Sequence, residues 1–183
     1  MPRQVHLFDR PTRFVAGTVG QPGDRTFYLQ ASDETGRTVS VALEKTQVQV
    51  LADRMSELLD EVAGRLNTVI PPEADVDDLE PLTAPVDEEF RVAAMGLAWD
   101  GAAGAVVVEA VAAGEEPIDE DAILSDSDEG PDALRVTITP MAARAFITRA
   151  RRVVAAGRPP CPLCSLPLDP AGHVCPRQNG YRR

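Results

Sequence analysis

The residues of this chain whose types and spacing suit chemistry are three cysteines and a histidine near its C-terminal end. Cys161 and Cys164 are separated by two residues, a spacing whose tight turn aims two thiolates at one point. His173 and Cys175 are two apart, so on an extended segment both side chains leave the same face. Eight residues lie between Cys164 and His173, among them Pro167, Pro170 and Gly172, enough to fold the second pair back over the first. Three sulfurs and one imidazole nitrogen form a closed tetrahedral set of the structural kind for Zn2+, whereas a catalytic zinc keeps one position open to water. The other readings are a redox pair or three unrelated buried thiols. A redox Cys-x-x-Cys belongs in a strand-to-helix turn of a βαβ unit. This one is crowded by Pro159, Pro160 and Pro162 and followed by His-x-Cys, so the spacing favours zinc.

Other constellations are weaker. Gly17, Gly20 and Gly23 make a G-x-x-G-x-x-G run, but a dinucleotide fingerprint needs G-x-G-x-x-G opening a helix and a phosphate loop needs Gly-Lys-Ser/Thr. His6, near Asp9, has no nucleophile pattern beside it and reads as a surface or strand-edge histidine. Glu44 and Lys45 read as a helix-end ion pair or solvated charge. The run from Asp126 through Asp128 to Gly130 hints at a Ca2+ loop, but the bidentate glutamate at its twelfth position is missing. Acidic loops abound, yet flexible loops do not preorganise acid–base pairs.

The charge is unevenly placed. Residues 73–89 hold eight acids and no base, and residues 115–132 hold nine acids and no base, within a chain of net charge −11. Residues 141–183 carry eight arginines against one acid, Asp169. Such opposite ends suggest a basic contact surface beside solvated or self-covering acidic loops. Their low hydrophobicity predicts that both acidic stretches stay solvated and flexible. Apolar residues make up 44% and aromatic ones only 4%, so a core would be mainly aliphatic. The start has no apolar run long enough for a signal peptide, and no stretch approaches a membrane span. Three cysteines fit a reducing cytoplasm.

The elements that must position these residues come in two passes. Strands are predicted at 13–19, 26–32 and 37–44, with turns at Pro22-Gly23 and Gly36. Val39, Val41 and Leu43 alternate against Thr38, Ser40 and Ala42, the period of a half-buried strand. A helix then starts with Thr46 and Gln49 in a capping-box pattern, and Val48, Leu51, Met55, Leu58, Val62 and Leu66 form its apolar stripe. Pro71 and Pro72 stop it. The second pass has strands at 90–99, 105–111 and 133–139, then a helix to Ala156 with Thr139 as cap and Pro140 at its first position. Ala142, Phe146, Ala150 and Val153 share its apolar face, with Arg144, Arg151 and Arg152 off it. A shift of 79 lays Gly17 on Gly96 and 27–31 on 106–110; a shift of 95 lays Val39, Val41 and Leu43 on Leu134, Val136 and Ile138. The same second shift lays Arg54 on Arg149.

The N-terminal run from Arg13 to Ala31, Leu43-Glu44-Lys45 and the tail from Gly157 to Arg183 together resemble an uncharacterised family of high-GC Gram-positive (actinobacterial) proteins of unknown function, sometimes labelled repeat proteins. The resemblance implies a cytoplasmic bacterial protein and no established activity.

The resulting expectation is an α+β protein of two strand-strand-strand-helix pseudo-repeats forming one body, each three-stranded sheet closed by its helix. The first repeat takes residues 1–72, an acidic linker 73–89, the second repeat 90–157 with the acidic insertion 115–132, and a zinc ribbon 158–183. The function expected is a non-enzymatic, zinc-containing protein-interaction module. Arg144, Arg149, Arg151, Arg152, Arg158 and Arg177 are its possible partner contacts. The alternatives are a single-stranded nucleic-acid binder, disfavoured by net charge and scarce aromatics, or an enzyme whose pocket between the repeats uses Arg54 and Arg149 to hold an anion. The oligomeric state is left open.

Overall fold

The computed structural model of the protein describes residues 3–66, 70, 77–114, 118, 123–125, 127, 129–168 and 172–177. The chain order is β1 (Val5–Asp9), β2 (Arg13–Gln21), β3 (Asp24–Ser32), β4 (Thr38–Leu43), α1 (Lys45–Leu66), β5 (Glu88–Asp100), β6 (Ala105–Ala112), β7 (Ala133–Ile138) and α2 (Pro140–Ala155). The protein is α+β, and after β1 the order β-β-β-α occurs twice.

The expectation of two separate three-stranded sheets is corrected. All strands join one seven-stranded ladder in the order β1-β7-β6-β5-β4-β3-β2. The seam is a parallel pairing of β4 with the start of β5, where Ser40 faces Glu88 and Ala42 faces Arg91 across a register shift. β5 is 13 residues long and pairs with β6 only from Val92 onward, with a second shift between Val92 and Ala94. Such irregularities bend a strand, which lets one strand serve both halves.

β1 is an element the sequence reading missed; it lies parallel to β7. It occupies one end of the ladder while β2 occupies the other, and only residues 10–12 connect them. A flat seven-stranded sheet would be roughly 29 Å across at ~4.8 Å per strand. Three linking residues reach at most ~14 Å. The ladder must therefore curl until its ends approach. The bonds agree: Arg10 N–H donates to Thr137 O on β7, Thr12 Oγ1 donates to Ser32 O on β3, and Arg37 Nη1 donates to Leu7 O on β1.

One face of the ladder packs on the helices. Phe14, Ala16, Leu29, Val41, Val108, Leu134 and Ile138 meet Val48, Leu51, Met55, Leu59 and Val62 of α1 and Phe146, Ile147 and Ala150 of α2 in one core. Phe14 and Phe146 stack with centroids 4.8 Å apart. Leu59, not Leu58, is the fully buried member of that turn of α1, and Leu66 is 56% exposed. α2 begins as read, with Thr139 Oγ1 accepting from Ala142 N at 3.2 Å. α1 does not: its cap is Glu44, whose carbonyl accepts from Gln47 and Val48 while its N–H donates to Gln47 Oε1 at 2.7 Å. The capping-box logic holds, shifted two residues upstream.

The acidic stretches run along the opposite face; their described residues are mostly exposed, but a few side chains anchor them to it. Leu82 lies over Gly17 so closely that a Cβ there would sit 2.5 Å from its Cδ2; at Gly96 a Cβ would sit 2.4 Å from Ile123 Cγ2. A side chain at either position would push Leu82 or Ile123 aside. On the neighbouring strand a buried polar residue, Glu109 opposite Gly96 and Gln30 two positions along β3 from the partner of Gly17, ties the covering segment down. Gln30 Nε2 donates to Thr83 O at 3.0 Å and its Oε1 accepts from Thr83 N at 2.8 Å. Glu109 Oε1 accepts from Leu124 N at 3.2 Å and from Arg3 Nη2 at 2.8 Å, and its Oε2 accepts from Arg135 Nε at 2.5 Å. Gln30 and Ser40 are cross-strand partners on β3 and β4, and Glu109 and Arg135 are cross-strand partners on β6 and β7. Buried groups so matched keep their hydrogen bonds without water. Residues 71–76, 115–117, 119–122, Asp126 and Asp128 lie outside the described residues, and with them most of the suggested Ca2+ loop.

Asp78 fastens the first covering segment. Its carboxylate accepts from Arg13 Nε at 2.6 Å and Arg149 Nη1 at 2.9 Å. The Arg13 bond, helped by the charge of Arg149, holds its carboxyl below the ordinary range. A depressed carboxyl stabilises the fold above its unfolded value, ~3.9, and that contribution fades as pH falls through the lower folded value. Asp78→Asn should therefore cost about 2 kcal/mol at neutral pH, allowing for partial exposure. The gap from the parent should close below about pH 4. Urea unfolding at both pH values measures it, and a pH-independent gap would mean that packing, not charge, holds the segment.

Candidate metal centre

After α2 the chain turns out of the body. Gly157 N–H reaches Ala155 O at 2.7 Å, and the segment then forms a small hairpin closed by a bridge between Pro160 and Pro167. Leu168 N–H donates to Pro159 O, Cys161 N–H to Leu166 O and Ser165 N–H to Cys161 O, at 2.9, 2.7 and 2.8 Å. Ser165 at the bend has φ 61°, a left-handed conformation that most side chains avoid. Prolines remove competing donors around the turn. The geometry points the backbone N–H groups of Cys164 and Leu163 at the Cys161 sulfur, and they pull its thiol down to about 6. Burial raises Cys164, and the neighbouring thiols of Cys161 and Cys175 add to that.

The second arm, residues 172–177, starts with Gly172 at φ +117° and returns His173 and Cys175 to the hairpin. Cys161 Sγ and Cys175 Sγ are 3.9 Å apart, and Cys164 Sγ and His173 Nε2 are 3.2 Å apart. All four donor atoms lie within 4.8 Å of one another, and no disulfide joins the cysteines. Bonds of ~2.3 Å to sulfur and ~2.0 Å to nitrogen put tetrahedral edges near 3.8 and 3.5 Å. The donor set fits a tetrahedral metal ion. The four residues singled out by spacing are thus brought together, and they could bind one.

The apolar side chains of this segment build no core. Leu163, Leu166 and Val174 are 48%, 49% and 79% exposed. A thiolate-bound dication would supply the missing cohesion by charge and covalency rather than by burial.

The arginines fall elsewhere. Arg149 is buried, donating through Nε to Ala16 O on the edge strand β2 and through Nη1 to the Asp78 carboxylate. Arg144, read as off the buried face, is buried too and reaches Asp60 at 2.6 Å and Ser56 at 3.3 Å. Arg151 pairs with Asp53 and Arg152 with Asp77. Arg158 and Arg177, flanking the hairpin, are exposed. Arg54 is 71% exposed beside Glu57, so it does not converge with Arg149 on one pocket. His6 sits on edge strand β1 but is buried, with Nε2 3.4 Å from Glu89 and Nδ1 3.5 Å from Arg37 Nη2. Gly20 and Gly23, at φ +106° and +98°, make the β2–β3 turn rather than a phosphate loop.

No described helix is long and apolar enough to cross a membrane. A protein-family model described as a protein of unknown function (DUF3090) matches residues 6–175, so the match takes in the curled sheet, both helices and all four candidate ligands. No match was found among curated proteins or solved structures.

Proposed function

The chain belongs to the DUF3090 family of proteins of unknown function, and from its own geometry we propose a non-enzymatic interaction module whose C-terminal arm is held by a structural zinc ion. The observation that carries this reading is the convergence of Cys161, Cys164, His173 and Cys175 within 4.8 Å on a segment without a core. Three thiolates and an imidazole suit Zn2+ over hard cations, and a set of four closes the coordination sphere. The reading places the protein in a reducing, cytoplasmic compartment, where three free thiols persist.

A protein partner is favoured over nucleic acid. Arg144, Arg149, Arg151 and Arg152 face carboxylates of the chain itself, so the basic helix has little charge left for phosphates. The arm instead offers Leu163, Leu166 and Val174 to solvent, flanked by Arg158 and Arg177. Apolar anchors with an arginine rim are the usual composition of a protein contact. We also read the two β-β-β-α passages as repeats of one unit. Its support is the pairing of Gly17 with Gly96, Gln30 with Glu109, and Ser40 with Arg135 at the offsets seen in the sequence.

The test is capture of partners from the native host by three forms: the full chain, a chain ending at Gly157, and a Leu163→Ser, Val174→Ser double variant. A partner held by the full chain and lost by both others, while the double variant keeps its zinc, supports the arm as the contact. A partner retained by the chain ending at Gly157 would move the contact to the body.

A further inference from the structure

A cavity of about 320 Å³ opens where the β2–β3 hairpin, the start of α1, the start of β5 and the chain leaving α2 meet. Arg25, Lys45, Arg91 and Arg158 line it, each from a different one of those elements, and Glu44 is the one carboxylate among its lining residues. This is unusual in a protein of net charge −11. On the helices, arginines meet carboxylates of the chain, as Arg144 meets Asp60 and Arg151 meets Asp53. Arg25 and Lys45 form no ion pair among the described residues, and Arg91 has only the exposed Glu44, at 3.1 Å.

The cations are also placed. The Arg25 guanidinium lies 4.7 Å over the Phe27 ring while its Nη2 donates to Val153 O at 3.3 Å, which fixes its plane. Lys45 Nζ stands beside the backbone at Gly157, where a Cβ would come 3.8 Å from it. Arg158 immediately precedes the Pro159–Leu168 bond at the base of the hairpin. Glu44 contributes its backbone N–H to the Gln47 cap, and among the described residues its carboxylate pairs with Arg91.

We propose that this cleft binds a compact polyanion of the phosphate-ester or diphosphate class. Arg25, Lys45 and Arg158 gather its oxygens, and Arg91 exchanges Glu44 for the ligand. Guanidinium and ammonium groups converging from several sides recognise phosphate oxygens by charge-assisted hydrogen bonds. An extended nucleic acid needs phosphate contacts along its length, whereas a small anion inside the cleft is met by the nearby cations. Phe27 is buried and covered by Arg25, so the cleft offers no ring on which a base could stack. The site shares Arg158 with the protein contact proposed for the arm but does not need that contact.

Inorganic pyrophosphate, titrated into the full zinc-loaded chain at physiological salt and followed by amide chemical shifts, tests the proposal. Saturable shifts are expected at Gly23, Lys45, Arg91 and Gly157, with a dissociation constant below about 1 mM, the weak end of specific binding. Lys45→Gln and Arg91→Gln should each weaken binding about tenfold, the loss of one charge-assisted bond. Glu44→Gln should tighten it several-fold, and Arg54→Gln, on an exposed pair elsewhere, should leave it unchanged. No saturation, equal binding by Lys45→Gln and the parent, or weaker binding by Glu44→Gln would overturn the proposal. Shifts centred on Cys161 and Cys175, the sign of metal being withdrawn, would do the same.

Discussion

Replacing Cys161 or Cys175 with serine is expected to release the metal and unfold the arm from Arg158 onward, while the body up to Gly157 stays folded. The two sulfurs are the buried members of the set, at 5% and 2% exposure, and lie 3.9 Å apart. Without a cation between them they are merely close thiols on a hairpin held by a few backbone bonds. Leu163, Leu166 and Val174 face solvent, so burial adds little cohesion. Metal binding in zinc-finger-sized segments is worth on the order of 10 kcal/mol or more at neutral pH, far above anything else available here. His173→Ala should weaken binding less, because three thiolates and a water still complete a tetrahedron. Acid should release the metal from the parent as protons compete for the thiolates. Elemental analysis and limited proteolysis decide the matter. Well under one zinc per chain in reduced protein prepared without chelator would sink the assignment, as would an arm equally protected in the Cys161→Ser variant.

The second large effect is predicted at Glu109, whose side chain is fully buried between Arg3 and Arg135. The side chain of Arg3 is itself only 3% exposed. Glu109→Ala leaves two guanidiniums without their carboxylate and Leu124 N–H without its acceptor, which should cost about 3–5 kcal/mol. Exchanging both members of the cross-strand pair, Glu109→Gln with Arg135→Ser, copies the neutral Gln30–Ser40 pair of β3 and β4. Arg3 keeps carbonyl partners at Pro131 and Ser127, so the double exchange should be milder than Glu109→Ala. A double exchange worse than Glu109→Ala would count against equivalence of the two passes. Denaturant unfolding of the parent and the two variants measures the difference.

What the sequence showed was local chemistry. The Thr139–Pro140 cap, the turns at Gly23 and Gly36, and the four donors between Cys161 and Cys175 all depend on residues near one another in the chain. Long-range matters were not legible. Arg149 counts as polar in any amphipathic pattern, yet it is buried because Ala16 O on an unpaired strand edge and Asp78 both need a donor. The acidic stretches read as solvent-exposed by charge density, and most of their described residues are; what charge density hides is that Leu82, Thr83, Ile123 and Leu124 fasten them to two glycines and two buried polar side chains. The cap of α1 falls at Glu44 rather than Thr46 because β4 ends at Leu43 and the helix starts at Lys45. β1 escaped notice since five residues carry a weak period and their partner strand is far along the chain.

That distance has a consequence for biosynthesis. Val5 faces Ala133, so β1 leaves the ribosome long before its neighbour has been translated. At ~5–20 residues per second the wait is on the order of ten seconds. Throughout it Phe8, later buried, has no β7 to lie against, and when β7 does emerge one of its edges is still vacant. Until then β1 lacks its ladder partner and its strand edge is open to chaperones or to another chain. Translation speed between residues 9 and 133 sets the length of that exposure.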